Sequence, residues 1–203
     1  AFYECKNITT LTIPNTIKSI DDGAFSYTSG LVNVYFDGTI EEWTKVKLTD
    51  ADSNPKYYAD HIHFRNSNNE YYEIKELVIA SDITTIGSYQ FYNFDTITSI
   101  VVLENVTSFG SYVFYGCTNV TNITLPFIGS GSNGTSKRFG YIFGTDPTGE
   151  TNKYVPIKLT TVTITGSTSI GTDAFYGCKN ITTLTIPNTV KSIGDGAFYN
   201  ASG

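Results

Sequence analysis

The chain is predicted to be a β-rich solenoid of the α/β solenoid class, with about seven coils of roughly 23 residues and two insertions. Three observations predict it. Residues 1–30 and 174–203 coincide at 24 of 30 positions when slid by 173, and internal self-similarity of this kind is the mark of a repeat architecture. Phenylalanines recur in a fixed local context at Phe2, Phe25, Phe91, Phe114, Phe143, Phe175 and Phe198, with intervals of 23, 66, 23, 29, 32 and 23 residues. Aromatic residues are abundant (15 Tyr and 13 Phe against one Trp and no Met), and with many Thr, Ile and Val they favour strands.

Each unit opens with a strand reading apolar-x-x-apolar-x-apolar. Examples are Ile8/Leu11/Ile13, Leu31/Val34/Phe36, Ile74/Leu77/Ile79, Ile97/Ile100/Val102, Val120/Ile123/Leu125, Leu159/Val162/Ile164 and Ile181/Leu184/Ile186. The last two apolar positions alternate with polar ones, so one face turns inward and the other to solvent. Pro14, Pro126 and Pro187 end the strand by withholding a donor. A second short extended piece returns Ile20, Ile86, Phe109, Ile170 or Ile193 to the core. Gly87, Gly110, Gly171 and Gly194 follow it and are expected to turn the chain at positive φ, with Asp21 serving in the first unit. A tight helical turn such as Asp22-Gly23-Ala24-Phe25 then drives the ruler Phe inward. No coil can hide its apolar face alone, so coils must stack with strands about 4.8 Å apart and the Phe rings in one column.

The words Ile181-Thr182-Thr183-Leu184-Thr185-Ile186-Pro187-Asn188-Thr189-Val190-Lys191-Ser192-Ile193-Gly194-Asp195-Gly196-Ala197-Phe198-Tyr199 and Ala174-Phe175-Tyr176-Gly177-Cys178 resemble the BspA-like type of leucine-rich repeat. The resemblance covers most of the chain outside the insertions. It implies a right-handed, gently curved leucine-rich repeat solenoid of the kind found on bacterial and protozoan cell surfaces or secreted. It also implies a role in adhesion, through binding of a host or neighbouring-cell surface protein or glycan.

The insertions span 37–73 and 128–156, within a single solenoid over 1–203. In the first, Thr39 with Glu42 reads as a capping box for a helical turn or two through Trp43. Pro55 breaks a loop from Asp50 to Lys56, and His61–Phe64 and Tyr71–Ile74 read as strands joined by the polar turn 66–69. The second insertion is Gly/Ser/Thr-rich around Phe139–Phe143 and is expected to be mobile on either side of it. Both chain ends fall inside a repeat, so the simplest expectation is a segment of a longer polypeptide.

A net charge of −6 without a Lys/Arg cluster points away from nucleic acid, and no apolar run is long enough for membrane insertion. Cys5, Cys117 and Cys178 each stand three residues after a ruler Phe, too dispersed for a metal or redox pair and expected to be small buried apolar groups. His61 and His63 share a strand face but would need further ligands for a metal, Asp60 being the nearest. Asp50 and Asp52 begin like a calcium loop that lacks its Gly and closing Glu. No nucleophile elbow appears, and the glycines of 129–134 lack the Lys of a phosphate loop. The chain is therefore read as non-catalytic, with no cofactor and no metal. Asn-x-Ser/Thr triplets at Asn7, Asn105, Asn119, Asn122, Asn133, Asn180 and Asn200 follow from composition.

The more informative surface is the row of outward strand positions: Thr10, Thr12, Asn33, Tyr35, Glu76, Val78, Ser99, Val101, Asn122, Thr124, Thr161, Thr163, Thr183 and Thr185. Stacked, they would form one ladder of hydroxyl and amide groups suited to a protein or glycan. Trp43, Tyr57 and Tyr58 form a second candidate patch, either exposed for binding or plugging the solenoid's side. The competing class is structural: a stalk or filament built by end-to-end self-association of uncapped coils, with no specific ligand.

Overall fold

The computed structural model describes residues 1–131, 137–144 and 152–203. Eight strands run parallel to their neighbours along the stack: Thr10–Pro14, Asn33–Asp37, His61–Arg65, Glu76–Val78, Ser99–Val101, Asn122–Leu125, Thr161–Ile164 and Thr183–Thr185. The first three form one sheet, joined by the antiparallel Tyr71–Tyr72 strand, and the other five form a second. Register is kept from coil to coil: Leu11 faces Val34 and Val34 faces Ile62, while Leu77, Ile100, Ile123, Val162 and Leu184 align in the second sheet. Period-2 alternation makes that register obligatory, because a one-residue slip would turn the apolar set to water.

The inward positions lie in one continuous core. Val34, Phe36, Leu77, Ile79, Ile100, Val102, Ile123, Leu125, Val162 and Ile164 are at most 1% exposed, each such burial being worth ~1.5–3 kcal/mol. Short second strands pair one coil on: Ser19–Ile20 with Lys47–Leu48, Thr85–Ile86 with Ser108–Phe109, and Ser169–Ile170 with Ser192–Ile193.

The expected ring column forms with one addition, Phe139, and one gap. Phe2 stacks on Phe25 at 5.4 Å, Phe91 on Phe114 at 5.6 Å and Phe175 on Phe198 at 5.6 Å. The 3-10 helix Phe139–Phe143 supplies two rings, Phe143 lying 6.3 Å from Phe114 and Phe139 lying 5.0 Å from Phe175. No ring fills the place between Phe25 and Phe91. There the turn ends in buried Asn54, whose Nδ2 donates to the Tyr89 carbonyl at 2.8 Å, while the Phe25 amide donates to the Asp52 carbonyl at 3.1 Å. Buried Asn152 closes the second insertion in the same way, donating to the Tyr176 carbonyl at 2.8 Å and accepting from the Gly140 amide at 2.6 Å.

Three expectations are corrected. The glycines after the core residue do not have positive φ; Gly87, Gly110, Gly171 and Gly194 lie outside that region, and so does Asp21. Close approach explains Gly110 and Gly194, since a Cβ there would meet the backbone nitrogen of Ser88 at 2.2 Å or of Thr172 at 2.5 Å. Left-handed residues instead stand two before and two after the ruler Phe. Gly23, Tyr89, Tyr112, Asp173 and Gly196 hold the first place, and Glu4, Tyr27, Asn93, Gly116, Gly177 and Asn200 the second, with φ between 54° and 77°. Second, His61–Arg65 is an eighth parallel strand inside the first insertion. Third, two strands of the main stack, His61–Arg65 and Glu76–Val78, but no ruler turn lie between the Asn54 turn and the Phe91 turn, and the Tyr71–Tyr72 hairpin strand occupies the free edge of His61–Arg65. The strand stack therefore divides there into two sheets, while the turn column runs on.

The helix Ile40–Thr44 has the capping box read from Thr39 and Glu42: Glu42 N donates to Thr39 Oγ1 at 3.3 Å and Thr39 N to Glu42 Oε2 at 2.9 Å. Among the described residues no helix is long and apolar enough to cross a membrane.

Candidate ligand-binding face

The predicted outward positions do line up, in two ladders. Thr10, Asn33 and His61 form one row and Thr12, Tyr35 and His63 the next across the first sheet. Across the second sheet the rows are Glu76, Ser99, Asn122, Thr161 and Thr183, and Val78, Val101, Thr124, Thr163 and Thr185. All are half-buried or exposed. Sequence reasoning found the rows because strand alternation fixes them; it missed that His61 and His63 extend them, since those residues sit in an insertion.

A second column of threonines, one residue ahead of the strands, is committed to the backbone. The Thr98, Thr121 and Thr182 hydroxyls donate to the carbonyls of Lys75, Thr98 and Thr160 in the preceding coil at 3.1, 3.1 and 3.4 Å. The strand hydroxyls of Thr10, Thr12, Thr124, Thr161, Thr163, Thr183 and Thr185 have no such partner among the described residues. One set thus holds coils together, while the other leaves its hydroxyls unbonded by the chain itself.

On the first sheet the rows carry rings. Tyr35 stacks on His63 at 4.6 Å and meets Tyr71 edge-on at 4.8 Å, with the Arg65 guanidinium 3.7 Å over the Tyr71 ring. Arg65 Nε pairs with Asp37 at 2.8 Å, and His61 Nδ1 lies 2.9 Å from Glu73. Desolvation in this layer lowers the His63 pKa, the nearby His61 acting in the same direction. The two histidine rings are 6.2 Å apart, and no group of three or more His, Cys, Asp or Glu stands together among the described residues as a metal would require.

The second patch does not form as a unit. Trp43 is wholly buried between Phe36 and Phe64, its Nε1 donating to the Gln90 carbonyl at 3.0 Å while Gln90 Nε2 donates back to the Trp43 carbonyl at 2.6 Å. It plugs the solenoid and is no contact residue, because its ring packs on Phe36 and Phe64 and none of it reaches solvent. Tyr57 is exposed and Tyr58 half-buried, but they join the tyrosines beside the Phe turns rather than the ladders.

Asp50 and Asp52 serve the chain itself. Asp50 Oδ1 accepts from Ser53 N at 2.7 Å, capping the 3-10 turn Ala51–Ser53, and Asp52 Oδ2 accepts from the Ser26 hydroxyl at 2.6 Å. Cys117 and Cys178 are buried and Cys5 is half-buried. Burial pushes both buried thiols up, Cys178 to about 12, which keeps them from acting as nucleophiles. Asn133 and most of the 129–134 glycine run lie outside the described residues.

Residues 1–51, 63–134 and 151–203 match, in six copies, the family described as BspA type leucine rich repeat region. No curated protein matches the chain. Among solved structures it is similar to a leucine-rich repeat protein of T. pallidum, with TM-score 0.48 and 16% identity over 96% of this chain and 77% of that one. It is also similar to a leucine-rich cell surface protein from Faecalibacterium prausnitzii A2-165, with TM-score 0.40 and 20% identity over 99% and 59% of the two chains. A leucine-rich repeat protein from Bacteroides ovatus ATCC 8483 gives TM-score 0.45 and 18% identity over 99% and 60%. The chain thus spans 59–60% of the length of the last two.

Proposed function

Because the chain belongs to the BspA-type leucine-rich repeat family, we propose that it is a non-catalytic binding module, extracellular or on the cell surface, that mediates adhesion. Its ladder face engages a protein or glycan of a host or neighbouring cell. The observation that carries this reading is the division of labour among threonines. Strand threonines keep free hydroxyls in register, while the column ahead of them bonds the backbone. Repeating short polar groups about 4.8 Å apart offer an extended ligand many weak, aligned hydrogen bonds.

The test is a glycan array and a surface-protein binding screen, each run with wild type and with Thr10→Lys, Thr124→Lys and Thr183→Lys. A ligand held by the ladder should lose about tenfold or more in affinity in at least one variant, because each lysine puts a long charged chain into the row. Binding indifferent to all three would move the site elsewhere.

End-to-end stacking into a stalk or filament is the weaker reading. It is favoured by the near-identity of residues 1–30 and 174–203, which stand in the same phase of the repeat. A partner strand added in register at Thr183–Thr185, however, would bring its own Ala1-Phe2-Tyr3 onto the place held by Ala197-Phe198-Tyr199, so one turn must yield. Sedimentation over a concentration series decides it: a strict monomer removes the filament reading, and concentration-dependent growth supports it.

A further inference from the structure

The turn edge of the solenoid carries a surface that the ladder does not use. Tyrosines stand one after or two before the ruler Phe in adjacent coils, so stacking brings their rings together. Tyr89 stacks on Tyr112 at 5.5 Å and Tyr92 on Tyr115 at 4.9 Å. The first insertion extends this band with Tyr57, stacked on Tyr92 at 5.5 Å, and Tyr58, edge-on to Tyr57 at 4.8 Å. Tyr154 extends the other end, 5.2 Å from Tyr115, with Lys153 5.3 Å over its ring. Seven phenols form one patch that is neither core nor fully solvated, Tyr57 and Tyr154 being 40% exposed.

Rings already packed against each other lose little freedom on binding, which is why tyrosine is favoured in recognition surfaces. The charge around the band selects the partner. Beside Tyr57 and Tyr58 a hollow of about 540 Å³ is also lined by Asp60, Asp95 and Asn93. Its one lysine is matched: Lys56 Nζ, buried, bonds Asp95 at 2.9 Å and the Asp60 carbonyl at 2.7 Å. The Asp60 carboxylate has no partner among the described residues. Near Tyr58 and Tyr89 lie Asp52 and Asp50, and with them Asp22, whose pKa is raised by its hydrogen bond to Asp50 and by the charges of Asp50 and Asp52.

We propose that this tyrosine band docks a basic segment of a partner polypeptide, with Lys or Arg side chains lying over the phenol faces and reaching the flanking carboxylates. Cations gain from both features, through ring quadrupoles and through Coulomb attraction. A neutral glycan would donate hydroxyls to the carboxylates but gain no net Coulomb attraction from them. A second copy of this acidic chain, at net charge −6, would set carboxylate against carboxylate. The inference is independent of the ladder reading, since His61 at the hollow's rim is the one residue the two surfaces share and no tyrosine or carboxylate of the band lies in the ladder rows.

The test titrates the whole chain with octa-arginine, octa-glutamate and a neutral chitin oligosaccharide, following tyrosine fluorescence and heat. Octa-arginine alone should give a response that depends on the band, and its affinity should fall about tenfold or more between about 50 mM and about 500 mM salt. Tyr57→Ser, which leaves charge unchanged, should weaken it about two- to fivefold, and Asp60→Asn should weaken it further, while Thr163→Lys on the ladder leaves it intact. Circular dichroism of each variant separates loss of binding from loss of fold, and Tyr57→Phe, which keeps the ring, should restore affinity. Arginine binding unchanged in Tyr57→Ser, or a chitin oligosaccharide response that Tyr57→Ser abolishes, overturns the proposal.

Discussion

Gly110 stands where one coil's turn lies directly on the next, and a methyl group there would come within 2.2 Å of Ser88 N and 2.7 Å of its Cα. Backbone cannot step aside as a side-chain tip can. Gly110→Ala should therefore cost about 1–3 kcal/mol, the range for overpacking. Gly87→Ala, which meets only Gln90 Oε1 at 3.3 Å, should stay within about 0.5 kcal/mol. Urea midpoints of the two variants check this, and equal losses would remove the close-approach argument. The sequence marked these glycines as special but not why. A recurrent glycine is equally compatible with positive φ and with a close neighbour, and only the stacked coil tells them apart. The true left-handed positions were hidden because Tyr, Asn, Asp and Glu occupy most of them, at a cost of about 1–2 kcal/mol for an ordinary residue that stacking must offset.

At the scale of the element, the ring column is the feature most legible in advance. A fixed spacing of 23 and a constant local context identify it, and the structure places the expected rings on one another. Phe114 lies in its middle, fully buried between Phe91 and Phe143. Phe114→Ala should cost about 3–5 kcal/mol, read as a lowered denaturation midpoint; an unchanged midpoint would refute the column. What the pattern could not reveal is how the insertions tie themselves to the turn column. Asn54 and Asn152 do so by bonding the carbonyls of the next turn, and Trp43 does so by exchanging hydrogen bonds with Gln90. Such contacts reach across 24 to 47 residues, and no local signal encodes them. Trp43 for this reason read as well for a surface contact as for a plug.

For the molecule as a whole, the ladders were legible because a strand's period of two fixes which side chains face out. Their division into two sheets was not, because it depends on where the Tyr71–Tyr72 hairpin lies. The tyrosine band was equally hidden: its rings sit at different offsets from the Phe and converge only when coils are superposed. The central claim is that each coil is held by the coil on either side, so stability should fall from the middle of the stack toward its ends. Native-state hydrogen exchange tests this most directly. Amides of Ser99–Val101 and Asn122–Leu125, which have a strand on both sides, should exchange most slowly, and those of Thr10–Pro14 and Thr183–Thr185, at the sheet edges, much faster. Protection that is uniform along the chain, or greatest in the two edge strands, would contradict it.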